Sequence, residues 1–418
     1  MQAKQIVLFC SVVALAALSG NAAASGFFLI EQSASGLGNA YAGGAASAED
    51  ASTIFFNPAG MSHLNGKQIA VVANAIKPSA KFSDSGASIA PAGFANNGTG
   101  GDAGSLAWVP NGYFVMEINP QLRFGFGVNA PFGLQTEYDA NWIGRFQAIK
   151  SKIETININP SLSYQVSDLF SIGMGLDYQH IKADLTNARV LGPIEGVTTL
   201  NGSDSAWGYN FGGMMRLADN ARIGVSYRSA IQYKLSGTAY TSSALPIPGT
   251  NVFIPVTADI KTPDTLSLSY FRALDSKWDV MADLSRTGWS NFKELRVIQV
   301  STGATIALTS ENWRDTWRAS VGANHHYNEK WTARVGLAYD QTPVPDTYRT
   351  ARIPDADRTW LSLGGQYKPA RENALDFGYA HLFVNNASIN QTVAGAGTLN
   401  GNYKNSVDIL SMQYTHNF

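Results

Sequence analysis

The feature that most constrains this chain is the length of its alternating runs. From Lys67 onward, segments of ten or more residues switch between apolar and polar at nearly every step, and a period of two places successive side chains on opposite faces of a strand. In FSIGMGLDYQH, one face collects Phe170, Ile172, Met174, Leu176 and Tyr178, while Ser171, Gly173, Gly175 and Asp177 take the other. Strands of soluble sandwiches and propellers average about five or six residues. Runs twice that long, with aromatics near both ends, suit strands that cross a bilayer.

The connections sort into two kinds. Short polar turns at Asn119-Pro120, Ser167-Asp168, Ala218 to Asn220, Leu274 to Ser276, Asn328 to Lys330 and Lys368 to Asn373 alternate with long connections near 83–105, 130–150, 185–203, 241–255, 299–311, 341–357 and 390–401. Six short turns and seven long loops join fourteen strands. This predicts an all-β transmembrane fold, a 14-stranded antiparallel outer-membrane β-barrel over 67–418, with its short turns in the periplasm. The last strand, DILSMQYTHNF, puts Leu410, Met412, Tyr414, His416 and Phe418 on one face and ends on an aromatic. Such an ending resembles the signal by which outer-membrane barrels are recognised for assembly.

Lys4, the apolar run from Ile6 to Leu18 and Ala22-Ala23-Ala24 before Ser25 read as a secretory signal over 1–24. The single cysteine, Cys10, lies inside it, and Phe9 is too large for the residue preceding a lipidated cysteine. Beyond the signal, no apolar run approaches the ~20 residues of a membrane helix. Mean hydropathy is nevertheless −0.08 with 11% aromatics, so the apolar residues are dispersed singly, as a barrel wall requires. A net charge of −1 gives no reason to expect a nucleic acid partner.

Residues 25–66 do not alternate. SASGLGNAYAGGAASAEDASTIFFNPAGM is dense in Gly, Ala and Ser, which suits short helices packed closely in a confined space. Phe27, Phe28, Leu29, Ile30, Phe55 and Phe56 are too apolar for a solvated tail. The expectation is a small helical N-terminal hatch that plugs the lumen. Pro58 has no N–H and biases Asn57 away from the helical region, so the chain is redirected there.

This segment resembles the N-terminal hatch of the FadL family of outer-membrane long-chain fatty acid transporters, within the OMPP1/FadL/TodX superfamily, whose Asn-Pro-Ala motif is matched by Asn57, Pro58 and Ala59. The similarity continues through VPNGYFV, NAPFGLQTEYDANWIGRFQA, INPSLSY and AYDQTPVPDTYRTARIPDADRTWLSLGGQY, and so spans most of the mature chain. It implies a fourteen-stranded barrel with a hatch, diffusion-driven uptake of hydrophobic substrates, and lateral exit through a gap at a kinked third strand. It also implies that the extreme N-terminus, and Phe27 with it, reaches into the substrate pocket.

A fatty acid needs a greasy pocket and one cation for its carboxylate, and arginine grips a carboxylate with two hydrogen bonds. The candidate ligand-binding residues are Arg145 and Phe146 in NWIGRFQ, Arg314 and Arg318 in NWRDTWRAS, and Phe27. Alternation places Arg314 and Arg318 in the lumen with Thr316 and Ser320, and Trp313 and Trp317 on the other face. Arg123 is lumenal too, but beside a periplasmic turn. In the third strand, QLRFGFGVN, Gly125 and Gly127 leave the lumenal side bare, either as a lateral opening or as room for the hatch.

Motifs for nucleophilic, phosphate and metal chemistry do not occur, and the adjacent His325 and His326 point to opposite faces of a strand. No cofactor, metal or enzymatic activity is expected. The expected function is passive uptake of long-chain fatty acids or similar hydrophobic compounds, bound in the barrel and released laterally after hatch rearrangement. Aromatic-hydrocarbon uptake, or a structural or adhesive role for the loops, is the alternative. The expected partners are that hydrophobic molecule, outer-membrane lipid and lipopolysaccharide, with the chain acting as a monomer.

Overall fold

A computed structural model describes residues 26–418, apart from 90–92, 96–97, 244, 246 and 249. The expected leader, 1–24, and Ser25 lie outside the described residues. The wall begins with β1 (Lys67–Asp84), β2 (Ala107–Asn119), β3 (Leu122–Asn129) and β4 (Gly133–Glu137), then β5 (Lys150–Gln165), β6 (Phe170–Leu191) and β7 (Ile194–Ala218). It continues through β8 (Ala221–Arg228), β9 (Ile231–Ser242), β10 (Phe253–Thr262), β11 (Thr265–Ala273), β12 (Trp278–Thr287), β13 (Glu294–Gln299) and β14 (Thr305–Ser310). The remainder is β15 (Thr316–His326), β16 (Trp331–Asp340), β17 (Arg358–Ala370), β18 (Asn373–Val384), β19 (Ala387–Val393) and β20 (Gly397–Asn417). Six wall strands are each interrupted into two consecutive elements, so the twenty elements form fourteen staves. All pairings are antiparallel, and β1 joins β20 from Gln68↔Asn417 to Asp84↔Gly401, which closes the ring. Closure leaves no unpaired sheet edge facing lipid along that seam.

The alternation read from sequence sets the faces. Along β6 every second residue from Phe170 to Tyr178 is exposed, while Ser171, Gly173, Gly175 and Asp177 are buried. Near the C-terminus, Leu410 and Met412 are exposed at 61% and 58%, whereas Ser411 and Gln413 are buried. The loops expected at 185–203, 299–311 and 390–401 are instead largely hairpins: β6 and β7 stay paired up to Leu191↔Ile194, and β13–β14 and β19–β20 pair likewise. Beyond the bilayer both strand faces meet water, so the ladder continues while the apolar alternation that reveals it fades.

Residues 26–64 form short helices at Ala34–Gly38, Gly44–Ser47 and Thr53–Phe56 and a 3₁₀ turn at Pro58–His63. Ser33 caps the first, its hydroxyl accepting from Gly36 N at 3.1 Å. The segment is tied to widely separated staves. Asn39 Nδ2 donates to Asn324 Oδ1 at 2.9 Å, Arg222 to the Ser47 carbonyl at 2.7 Å, and Asn57 Nδ2 to the Gly213 carbonyl at 3.1 Å. Wall glycines permit this approach, since a Cβ at Gly212 would lie 1.8 Å from Asn57 Oδ1.

Candidate functional site

The lumen face changes character along β5 and β6. On β5 the inward residues are Ile153 toward the long-loop end, then Thr155, Asn157, Asn159, Ser161 and Ser163. On β6 they are Ile181 and Ala183 at that end, and Asp177 and Gln179 below them. Leu235 of β9 and Val256 and Ile260 of β10 complete an apolar cavity of about 780 Å³, part of it open to solvent. Pockets of this scale and lining hold hydrophobic small molecules.

Phe27 borders that cavity and is 1% exposed. Its ring lies 4.7 Å from Trp289, 5.8 Å from Trp313, 5.9 Å from Phe132 and 6.0 Å from Phe292, centroid to centroid. Its backbone is pinned as well. Gly133 N donates to the Phe27 carbonyl at 2.9 Å, Leu29 N donates to Pro131 O at 2.8 Å, and Gly26 N donates to Asp355 Oδ2 at 3.0 Å.

Two ionisable side chains line the same cavity, Arg352 and Glu311. Arg352 donates from Nη1 to Lys150 O and Ser151 Oγ, each at 3.1 Å, and to Thr186 O at 3.4 Å. Every one of these acceptors is neutral. Burial draws its guanidinium down to about 10, with Glu311 acting in the opposite sense. Glu311 accepts from Trp313 Nε1 at 2.9 Å, and burial pushes its carboxyl up to about 8 against the pull of that hydrogen bond and of Arg352. Burial thus favours the protonated form of Glu311 in a cavity that the Arg352 cation also lines.

The wall beside Phe27 is incomplete. The third stave breaks between β3 and β4 at Ala130-Pro131-Phe132, where proline supplies no N–H to a ladder. β2 pairs with β3 only from Gly112↔Val128 toward the periplasmic turn, and β4 pairs with β5 alone. Among the described residues, 107–111 of β2 thus have no strand partner on that side. The backbone of the break itself is met by the N-terminal segment: Phe28 forms a bridge with Phe132, and Gln32 Nε2 donates to the Ala130 carbonyl at 3.1 Å. Higher up, Ala103 spans the interval, donating to Ala80 O and accepting from Glu137 N, both at 3.0 Å.

The family model described as outer membrane protein transport protein (OMPP1/FadL/TodX) matches residues 15–418. The chain belongs to this family. Relatives include the long-chain fatty acid transport protein of Escherichia coli, 30% identical over 406 residues, covering 88% of this chain and 89% of that one. Outer membrane protein P1 of Haemophilus influenzae is 31% identical over 414 residues, covering 90% and 89%. Among solved structures, a Pseudomonas aeruginosa FadL homologue superposes with a TM-score of 0.86 at 27% identity, over 94% of this chain and 100% of that one. The Ralstonia pickettii toluene transporter TbuX, at 19% identity and a TM-score of 0.70 over 93% and 100%, shares the fold. This member of the family is an outer-membrane transport barrel.

The residues singled out from sequence fall in several places. Phe27 borders the apolar cavity, whereas Arg145 and Phe146 do not line it. Arg145 is 3% exposed and grips Glu195 with two bonds, Nε–Oε2 at 2.9 Å and Nη2–Oε1 at 2.6 Å, its guanidinium 4.8 Å from the Phe146 ring. Arg314 is not lumenal: its side chain is 59% exposed and Trp313 is the buried neighbour, because the strand begins only at Thr316 and alternation does not extend back. Arg318 is lumenal, in a second cavity with Arg228, Asp340, Phe28 and Trp360, and donates to the Ala40 carbonyl at 2.7 Å. Gly125 and Gly127 are paired on both sides, and a Cβ on Gly125 would meet Met61 Sδ at 2.4 Å. Asn57 also accepts from Ala59 N at 3.0 Å, which holds the turn that Pro58 begins.

Sequence reasoning missed Arg352, Glu311 and Pro131. Arg352 lies inside the quoted TARIPDADR stretch, and Pro131 inside NAPFG, where a proline in a strand pattern is itself a signal of a break.

Proposed function

We propose that the chain takes up long-chain fatty acids, or hydrophobic acids like them, across the outer membrane by passive diffusion. The observation that carries this is Arg352, a half-buried guanidinium at an apolar cavity whose hydrogen bonds, among the described residues, all go to neutral acceptors. A carboxylate is the group that such a cation lacks. Protonated Glu311 would donate a hydrogen bond to the same head group, and the acyl chain would lie along Ile153, Leu235 and Val256. The names of the fatty acid transport relatives agree with this reading.

On this reading residues 25–66 act as the hatch. A ligand that displaces Phe27 from its aromatic ring cage also loosens the Phe27–Gly133 and Leu29–Pro131 bonds that bridge the broken stave, which opens the way sideways into the lipid. No residue is assigned a catalytic role. A second reading, aromatic-hydrocarbon uptake, is favoured by the rings of Trp289, Phe292 and Trp313 around the same space. Uptake of labelled oleate and of labelled toluene, in cells with and without the gene, decides between them. Loss of oleate uptake alone supports the acid, loss of toluene uptake alone supports the hydrocarbon, and no change in either refutes both.

A further inference from the structure

The seam that closes the barrel carries an unusual charge pairing. Lys81 of β1 stands directly across from Lys404 of β20, and both side chains are exposed on the outer face. Like charges directly opposite on antiparallel strands destabilise the pair. Elsewhere on the outer wall the same register matches opposites: Glu137↔Lys150, Glu154↔Lys182 and Asp259↔Lys234. The acids near the seam are already engaged. Asp102, 3.9 Å from Lys81, accepts from Ser79 Oγ at 2.7 Å, Ala80 N at 2.8 Å and Gly104 N at 3.0 Å. Asp408, across from Lys77, accepts from Tyr379 at 2.7 Å and pairs with His381 at 2.8 Å. Among the described residues, Lys77 and Lys404 make no ion pair.

The height of these lysines indicates what they meet. Two residues from Lys404, Ser406 faces Phe383 of β18, which is 55% exposed on the outer face. Two residues from Lys77, Ala75 faces Trp108 of β2, 53% exposed. Lys404 thus stands one step of the pleat above the Phe383 level and Lys77 one step above the Trp108 level, roughly 5 Å each for a tilted strand, with Lys81 in register with Lys404. This is the head-group layer at the long-loop, outward end of the barrel.

We propose that Lys81 and Lys404 hold a lipid A phosphate of lipopolysaccharide against the closing seam, with Lys77 about 13 Å lower on the same face of β1. The phosphate supplies an anion to Lys404, which no acid pairs, and adds to the long 3.9 Å contact that Lys81 makes with Asp102, while the acyl chains of the same molecule cover Phe383 and Trp108. Free phosphate has the charge but not the chains, so the paired aromatics favour the lipid.

The test is native mass spectrometry of the detergent-solubilised full chain titrated with bisphosphorylated lipid A. Lys81→Ala/Lys404→Ala is expected to bind about thirtyfold more weakly, from about one surface-lysine increment at each position. Lys234→Ala, which removes an acid-paired lysine elsewhere, is expected to bind as the unaltered chain does. Lys404→Glu, which restores an opposite-charge pair and so preserves the seam, is expected to fold and to lose lipid A to a similar extent. Equal affinity in the double variant or in Lys404→Glu overturns the proposal, as does displacement of lipid A by equimolar inorganic phosphate.

Discussion

Replacing Phe27 with alanine separates a side chain that blocks the cavity from one that builds it. The ring is fully enclosed, with four aromatic neighbours within 6.0 Å. Burying a phenylalanine stabilises by about 1.5–3 kcal/mol, and well-placed ring pairs add about 0.5–1.5 kcal/mol each. An incoming acyl chain would recover part of this by filling the vacated volume. A net cost of displacement of about 2–3 kcal/mol follows, and it lowers apparent affinity through the small population of the competent state. Phe27→Ala removes that cost, so oleate should bind about 30- to 150-fold more tightly. Tryptophan fluorescence of the purified barrel is the natural assay, since Trp289 and Trp313 line the space that Phe27 leaves. Unchanged or weaker binding would refute the reasoning and make Phe27 part of the ligand's wall.

Arg352→Ala should weaken oleate binding by about tenfold to a hundredfold, the worth of a charge-assisted contact, and leave oleyl alcohol unaffected; parallel titrations of the two ligands check this. Glu311 is protonated below about 8 and charged above it, so oleate affinity should fall as pH rises through that value, and Glu311→Gln should flatten the profile. Because its folded value is raised, the same group stabilises the fold fully below its ordinary range and progressively less as pH rises to about 8, which thermal unfolding across that window measures. Asn57→Ala leaves the Ala45 and Gly213 carbonyls without their donor, a loss of about 1–3 kcal/mol. It should alter uptake while the barrel still shows the shifted electrophoretic mobility of a folded outer-membrane protein, and a variant that fails to insert would count against a hatch role for the turn.

What was legible from sequence was the wall. Strict alternation in β6 and at the end of β20 assigned lipid and lumen faces correctly, because each pleat must satisfy both environments at once. Alternation misled at Arg314, where it was carried through residues that are not strand. It could not reveal that Arg145 is neutralised by Glu195, fifty positions along the chain. Arg352 was hidden for a related reason: a loop has no period, so nothing in the pattern says which way its side chains turn. Of the two readings of Gly125 and Gly127, a lateral opening or room for the hatch, the contacts with Met61 and Ile54 match the second, and the ladder fails farther on, at Pro131.

The change from Ile153 to Asn157 and Ser163 along one strand bears on the route proposed for a solute. Each methylene pushed from the upper lumen into the amide- and hydroxyl-lined lower half would forfeit about 0.8 kcal/mol, so eight methylenes would face a slope of about 6 kcal/mol toward the periplasm. Moving the same methylenes through the broken stave into the bilayer exchanges one hydrocarbon surrounding for another at little cost. On the proposed function, this gradient of polarity would work as a partition barrier, and a solute descending from outside would meet its lowest resistance at a right angle to its path.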